Sequence, residues 1–144
     1  HWLEHIGNNL LTTVFATQSA IRIMADQKAG KIINMASING LEHTGRPGTE
    51  AYSAAKAAII NFTKTIAKEY APRILVNCVS PGKTKTSYYD QYDQDYLDKL
   101  TQDTPIKKFV KPEEVARAFV FLAKNDAITG ENLVIDGGFS LKSY

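Results

Sequence analysis

Tyr52 and Lys56 stand four residues apart in a stretch, 49–71, that contains neither glycine nor proline. On a helix that spacing places both side chains on one face. A free phenol has a pKa near 10 and is a poor acid or base near neutrality, but a neighbouring ammonium favours its phenolate form. Bringing a phenol down by roughly 3 pKa units needs about 4 kcal/mol of differential stabilisation, of which a lysine supplies part. Ser37 follows an apolar run, and its hydroxyl is of the kind that donates to a carbonyl oxygen becoming an alkoxide. Together, a serine, a tyrosine and a lysine of this kind move a proton to or from a carbinol oxygen, the step that accompanies hydride transfer.

Helix and strand patterns alternate, as in an α/β layer fold. Ile6, Leu10, Val14, Ile21 and Met24 recur at helical spacing, and Ala29-Gly30 ends that helix. Residues 31–36 read as a short buried strand. A loop punctuated by Gly40, Gly45, Pro47 and Gly48 fills 37–50. A helix over 52–70, with Ile59, Phe62 and Ile66 on one face, precedes Pro72 and a second strand over 74–79. Residues 83–110 are polar and rich in aromatics, with helix near 92–100. Pro112, Glu113 and Glu114 begin a helix that runs to about 124 with Val115, Phe119 and Leu122 inward. A third strand covers 132–135. Strands joined through helices are expected to be parallel, with right-handed crossovers, and ligands bind beyond their carboxyl ends. Ser37 and the Ser80-Pro81-Gly82 turn fall at that edge, and Tyr52 and Lys56 begin the helix between them.

The 17 Lys and Arg against 15 Asp and Glu leave a net charge of +2 with no basic run, so nothing points to nucleic acid. No apolar stretch has the length of a membrane span. One cysteine, Cys78, excludes an internal disulfide, a zinc knuckle and an iron–sulfur cluster; it reads as a small buried hydrophobe. His1, His5 and His43 lack ligand spacing and read as surface residues, so no metal is expected. The chain starts on His1-Trp2 rather than Met and reads as the interior of a longer protein.

Five ordered segments carry a resemblance over essentially the whole chain. They are Trp2…Asn9-Leu10, Lys31 to Ser37, Tyr52-Ser53-Ala54-Ala55-Lys56, Val76-Asn77…Ser80-Pro81-Gly82-Lys83-Thr84-Lys85-Thr86, and Thr129-Gly130-Glu131…Asp136-Gly137-Gly138. This series resembles the short-chain dehydrogenase/reductase family. The resemblance implies an α/β fold with a partial doubly wound, Rossmann-like parallel sheet and flanking helices. Residues 1–144 would be the carboxyl-terminal part of one Rossmann-type domain, with a substrate loop or lid around 83–110. It implies an NAD- or NADP-dependent oxidoreductase acting on a small carbonyl or alcohol substrate, cytoplasmic, and assembled as a homodimer or homotetramer. By the same resemblance, Tyr52 is the general acid/base and Lys56 holds the nicotinamide ribose. Ser37 orients the substrate carbonyl, and Asn9 anchors a water in the proton relay. Pro81, Gly82, Thr84 and Thr86 meet the cofactor.

The interval from Ser37 to Tyr52 is fifteen positions, about two longer than the commonest family spacing. The family's glycine-rich phosphate turn is absent; it would need about three strand–helix units in front, roughly 90 residues at ~30 per unit. That absence keeps a second reading open, a truncated fold fragment or assembly module pairing through Ala54, Ala58 and Phe62. A relative with an isomerase or dehydratase outcome is a third. Each residue also has an ordinary role: Ser37 and Thr86 as turn or helix caps, Asn9 as a polar helix residue, Asp136-Gly137-Gly138 as a structural turn. Tyr88, Tyr89, Tyr92 and Tyr96 fit either a substrate lid or a partner surface.

Overall fold

The computed structural model describes residues 1–27 and 29–141. Three strands form a parallel sheet in the order β1 (Gly30–Met35), β2 (Ile74–Pro81), β3 (Asn132–Ile135). Gly30 pairs with Ile74 and Met35 with Val79; Cys78 pairs with Asn132 and Pro81 with Ile135. Alternation along each strand sends side chains to opposite faces. Ile32, Ile74 and Val76 pack with Ile21 and Ala67 on one face. Val79, with Ile33, Leu133 and Ile135, packs against Val115, Ala118 and Leu122 on the other. This is the partial doubly wound α/β sheet that the alternation of elements implies.

Helix α3 (Glu50–Tyr70) covers the first face with α2 (Thr12–Met24), and α5 (Pro112–Lys124) covers the second. The inward side of α3 is Ala51, Ala55, Lys56, Ile59, Thr63 and Ala67. Phe62 and Ile66, which share a face with Ile59 by helical spacing, are only half-buried, Ile66 against the core of the first face; the small residues let the helix approach the sheet more closely than larger ones would. Pro112 at the first turn of α5 and the Glu114 carboxylate, which accepts from the Lys111 N–H at 2.7 Å, start that helix.

Two expectations are corrected. The opening helix is not continuous: α1 (Trp2–His5) runs into a π-helical turn over Ile6–Leu11 before α2 begins. There Asn9 Nδ2 donates to His5 O at 3.2 Å, and the Thr12 and Thr13 hydroxyls donate to the carbonyls of Asn8 and Asn9. These side chains occupy carbonyls that a regular α pitch would use. Of the residues expected inward on this helix only Ile21 is fully buried, beside Thr17. The crossovers also depart from the expected common right hand. Both crossovers step the same way across the sheet, yet α3 and α5 lie on opposite faces, so their hands are opposite and they cannot both be right-handed. The long segment between β2 and α5 lets the chain change faces before α5 begins, which a tight strand–helix–strand unit does not allow.

That segment contains a 3₁₀ turn (Ser87–Gln91) and α4 (Gln94–Thr101). Its ends are clasped: Lys85 N–H donates to Val110 O and Val110 N–H to Lys83 O, both at 2.9 Å. A buried polar chain crosses the first face, with Thr17 Oγ1 donating to Asn34 Oδ1 at 3.2 Å and Asn34 Nδ2 donating to Thr63 Oγ1 at 3.0 Å. Cys78 is fully buried, which pushes its thiol up to about 11. The Asp136 carboxylate accepts from the N–H groups of Gly138 and Ser140, so Asp136-Gly137-Gly138 forms a structural turn.

Candidate active site

A cleft of about 330 Å³ opens beyond the carboxyl ends of β1 and β2. Ser37, Tyr52, Pro81, Gly82, Thr84 and Thr86 all line it. Ser37 is reached because β1 ends one residue before Ala36. Tyr52 is reached because α3 begins at Glu50, so its first turn faces the strand ends. Gly82 sits against β3: a Cβ there would lie 2.7 Å from the Asp136 Cα, which only glycine avoids.

Ser37 is buried, and its Oγ accepts from the Asn39 N–H at 3.2 Å, capping the short 3₁₀ turn Ile38–Gly40. The capping reading therefore holds, and it does not exclude a second role. With an acceptor lone pair used inward, the hydroxyl proton remains to donate toward the cleft. Lys56 does not line the cleft. It lies behind Tyr52, 9% exposed, with Nζ donating to Met35 O at 3.1 Å and standing 5.6 Å from the centre of the Tyr52 ring. Burial lowers its ammonium pKa. Thr84 Oγ1 donates to Gly82 O at 3.0 Å, closing the turn out of β2. Thr86 precedes the next 3₁₀ turn without capping it by its side chain.

Asn9 lies outside the cleft, on the π-helical turn packed against α3. Its Nδ2 is tied to His5 O. The His5 ring, expected on the surface, is half-buried with its centre 6.1 Å from that of Tyr52, because the first turn of α1 leans on the start of α3. His1 and His43 are exposed.

The family model described as enoyl-(acyl carrier protein) reductase matches residues 1–140. The chain belongs to the short-chain dehydrogenase/reductase family. Among curated relatives of this short-chain dehydrogenase/reductase chain, the 3-oxoacyl-(acyl-carrier-protein) reductase of Aquifex aeolicus is 40% identical over 140 residues. The acetoacetyl-CoA reductase of an Acinetobacter species is 39% identical over 140. Each match covers 95% of this chain and 56% of the relative, so the chain spans little more than half their length. A gluconate 5-dehydrogenase of Burkholderia cenocepacia, solved with NADP and tartrate, superposes with a TM-score of 0.88 at 28% identity. That match covers 99% of this chain and 57% of that one. No helix among the described residues is long and apolar enough to cross a membrane.

The remaining walls of the cleft include Ile38, Asn39, Arg46, Lys83, Tyr88, Tyr89 and Phe139. Tyr88 and Tyr89 were among the aromatics with two open roles, and the structure turns both toward the cleft. Tyr92 stacks on Tyr96 farther out, their ring centres 4.7 Å apart, and bonds Tyr88 through their hydroxyls at 3.1 Å. Burial raises the pKa of Tyr89, while the charge of Arg46 opposes that rise. Arg46, Lys83 and Phe139 were not foreseen. The one signal for Arg46 was its place in the lengthened loop; Lys83 lies inside the segment 76–86 that carries the resemblance, and Phe139 follows Asp136-Gly137-Gly138.

Proposed function

We propose that this chain is the carboxyl-terminal part of a Rossmann-type NAD(P)-dependent oxidoreductase that interconverts a ketone and a secondary alcohol. The observation that carries the reading is the meeting of Ser37, Tyr52 and the Pro81-Gly82 turn on one cleft, with Lys56 behind Tyr52. The relatives' names, reductases of 3-oxoacyl and acetoacetyl thioesters, point to a 3-oxoacyl compound or a similarly small ketone.

The donor set suits a nicotinamide nucleotide. Lys56 has three N–H donors and Met35 O takes one, which leaves two for a ribose diol. Main-chain groups at Pro81 and Gly82, with Thr84 and Thr86, would hold the rest of that end of the cofactor. The nicotinamide, when bound, supplies or accepts the hydride. In reduction, the Ser37 hydroxyl donates to the substrate carbonyl oxygen, and the Tyr52 phenol gives up its proton as that oxygen becomes an alcohol. The Lys56 ammonium favours the phenolate that results. Asn9 anchors the water from which the proton is replaced. Residues 83–110, clasped at their base, act as the substrate lid.

The same reading includes assembly as a homodimer or homotetramer in the cytoplasm. The outer face of α3 supports the pairing: Ala54 is exposed and Ala58 and Phe62 are half-buried there. The test is oxidation of NADH or NADPH by the intact protein with acetoacetyl-CoA and with small ketones, followed by product analysis. One secondary alcohol per nicotinamide oxidised is expected. A protein that oxidises neither cofactor with any ketone overturns the reading, and a dehydrated or isomerised product redirects it.

A further inference from the structure

We propose that Arg46 makes the cleft an anion receptor, so that the substrate is a carbonyl compound carrying a carboxylate or phosphate group. This rests on the oxidoreductase reading above. Among the described residues, the cleft walls hold two cationic side chains, Arg46 and Lys83, and no carboxylate. Lys83 is engaged: its Nζ donates to Leu100 O and lies 4.9 Å from the centre of the Phe139 ring. Arg46 differs. No carboxylate among the described residues comes within 4.0 Å of its guanidinium, whereas Lys31, Lys85 and Arg117 each have one.

The backbone of Arg46 is held in place. Its N–H donates to Thr49 Oγ1 at 3.2 Å, and its carbonyl accepts from Thr49 Oγ1 at 2.7 Å and from Thr49 N–H at 3.0 Å. The side chain thus starts from a fixed turn and reaches a wall shared with Ile38, Tyr88, Tyr89 and Phe139. Arg46 is itself exposed, so its charge stands open to an incoming anion beside those aromatic surfaces. A planar guanidinium with five donors matches a carboxylate or a phosphate in a way the reacting carbonyl does not require. Ser37 and Tyr52 take the carbonyl, and Arg46 takes the charged end.

The test uses the intact protein with straight-chain oxo-acids, their methyl esters and a keto phosphate monoester, in the wild type, Arg46→Gln and Arg46→Lys. The kcat/KM ratio of acid to ester is expected to favour the acid in the wild type. It should fall about tenfold or more in Arg46→Gln, through KM, and recover partly in Arg46→Lys. The larger fall, on acid or on phosphate, identifies the anion. An unchanged ratio, or a rise confined to the KM of the nicotinamide cofactor, overturns the proposal. If no ketone turns over, the functional reading fails by itself. Calorimetric binding of succinate then decides the anion site: heat lost in Arg46→Gln supports it, and no heat in the wild type sinks it.

Discussion

Replacing Gly40 by alanine should move Ser37 away from Tyr52 and Lys56. Gly40 ends the 3₁₀ turn that follows β1, and it lies directly on the backbone of α3. A Cβ there would stand 2.5 Å from the carbonyl carbon of Lys56 and 2.6 Å from the nitrogen of Ala57. Ordinary contact begins at 3.4 Å, so the two segments must part by about 0.9 Å. The obstacle is helix backbone, not the tip of a side chain. Helix α3 cannot retreat cheaply, because Ala51, Ala55 and Ile59 are almost wholly buried along it. The turn must move instead and carry Ser37 with it. Overpacking of this kind costs about 1–3 kcal/mol. For a chain of this size that is a Tm lowered by roughly 3–10 °C. Displacing a substrate-orienting group by about 1 Å costs on the order of a hundredfold in kcat/KM. Thermal unfolding and steady-state kinetics on the intact protein read both effects. Gly45→Ala is the control: it lies in the same loop, its Cβ would meet only the Ser53 side chain, at 3.5 Å, and it should match the wild type. A Gly40→Ala protein as stable and as active as Gly45→Ala would show that the turn does not rest on the α3 backbone.

Other consequences are more local. Cys78, buried with its thiol held near 11, should resist an alkylating reagent at about pH 8 in the folded protein and react at once in denaturant; rapid labelling of the native protein would contradict its burial. Asn34→Ala strips the Thr17 and Thr63 hydroxyls of their shared partner and should cost about 1–3 kcal/mol in chemical denaturation; a cost near zero would show that water replaces it. Lys56 binds its proton less tightly when folded than when unfolded, because burial lowers its pKa. Between its lowered folded pKa and the unfolded value of 10.5 the unfolded state holds more protons, so this group makes stability rise with pH in that window. Below both values the contribution is absent. In Lys56→Met the rise should flatten relative to the wild type, and an identical pH profile would mean that the ammonium is not desolvated.

Much of this arrangement is written in local patterns. The three apolar runs became strands at nearly the expected places, since each is short and bounded by turn residues, although only β2 is buried nearly throughout and β3 is half-buried along its length. Tyr52 and Lys56 sit together on α3 because helical spacing alone requires it. Residues 37 and 80–82 meet because strand ends and parallel order require that. What the sequence could not reveal depends on partners far along the chain. The inward face of α3 follows from how closely Ala51, Ala55 and Thr63 can approach the sheet, which a count of large apolar residues does not capture. The π-helical turn depends on the Asn9, Thr12 and Thr13 side chains competing for carbonyls. The place of α5 depends on a long connection that freed it from the usual crossover. Arg46 has no motif at all, and only its position on the cleft wall distinguishes it from any loop arginine.

The central claim is that Tyr52 gives and takes the proton at the substrate oxygen. It is tested most directly by Tyr52→Phe in the intact protein, with ketone turnover and nicotinamide binding measured on the same sample. The ring and its packing beside His5 and Lys56 are kept, and only the hydroxyl is lost. Turnover is expected to fall by about 10²–10⁴-fold, the usual worth of a general acid or base, while the cofactor still binds. Turnover within a few fold of the wild type would contradict it.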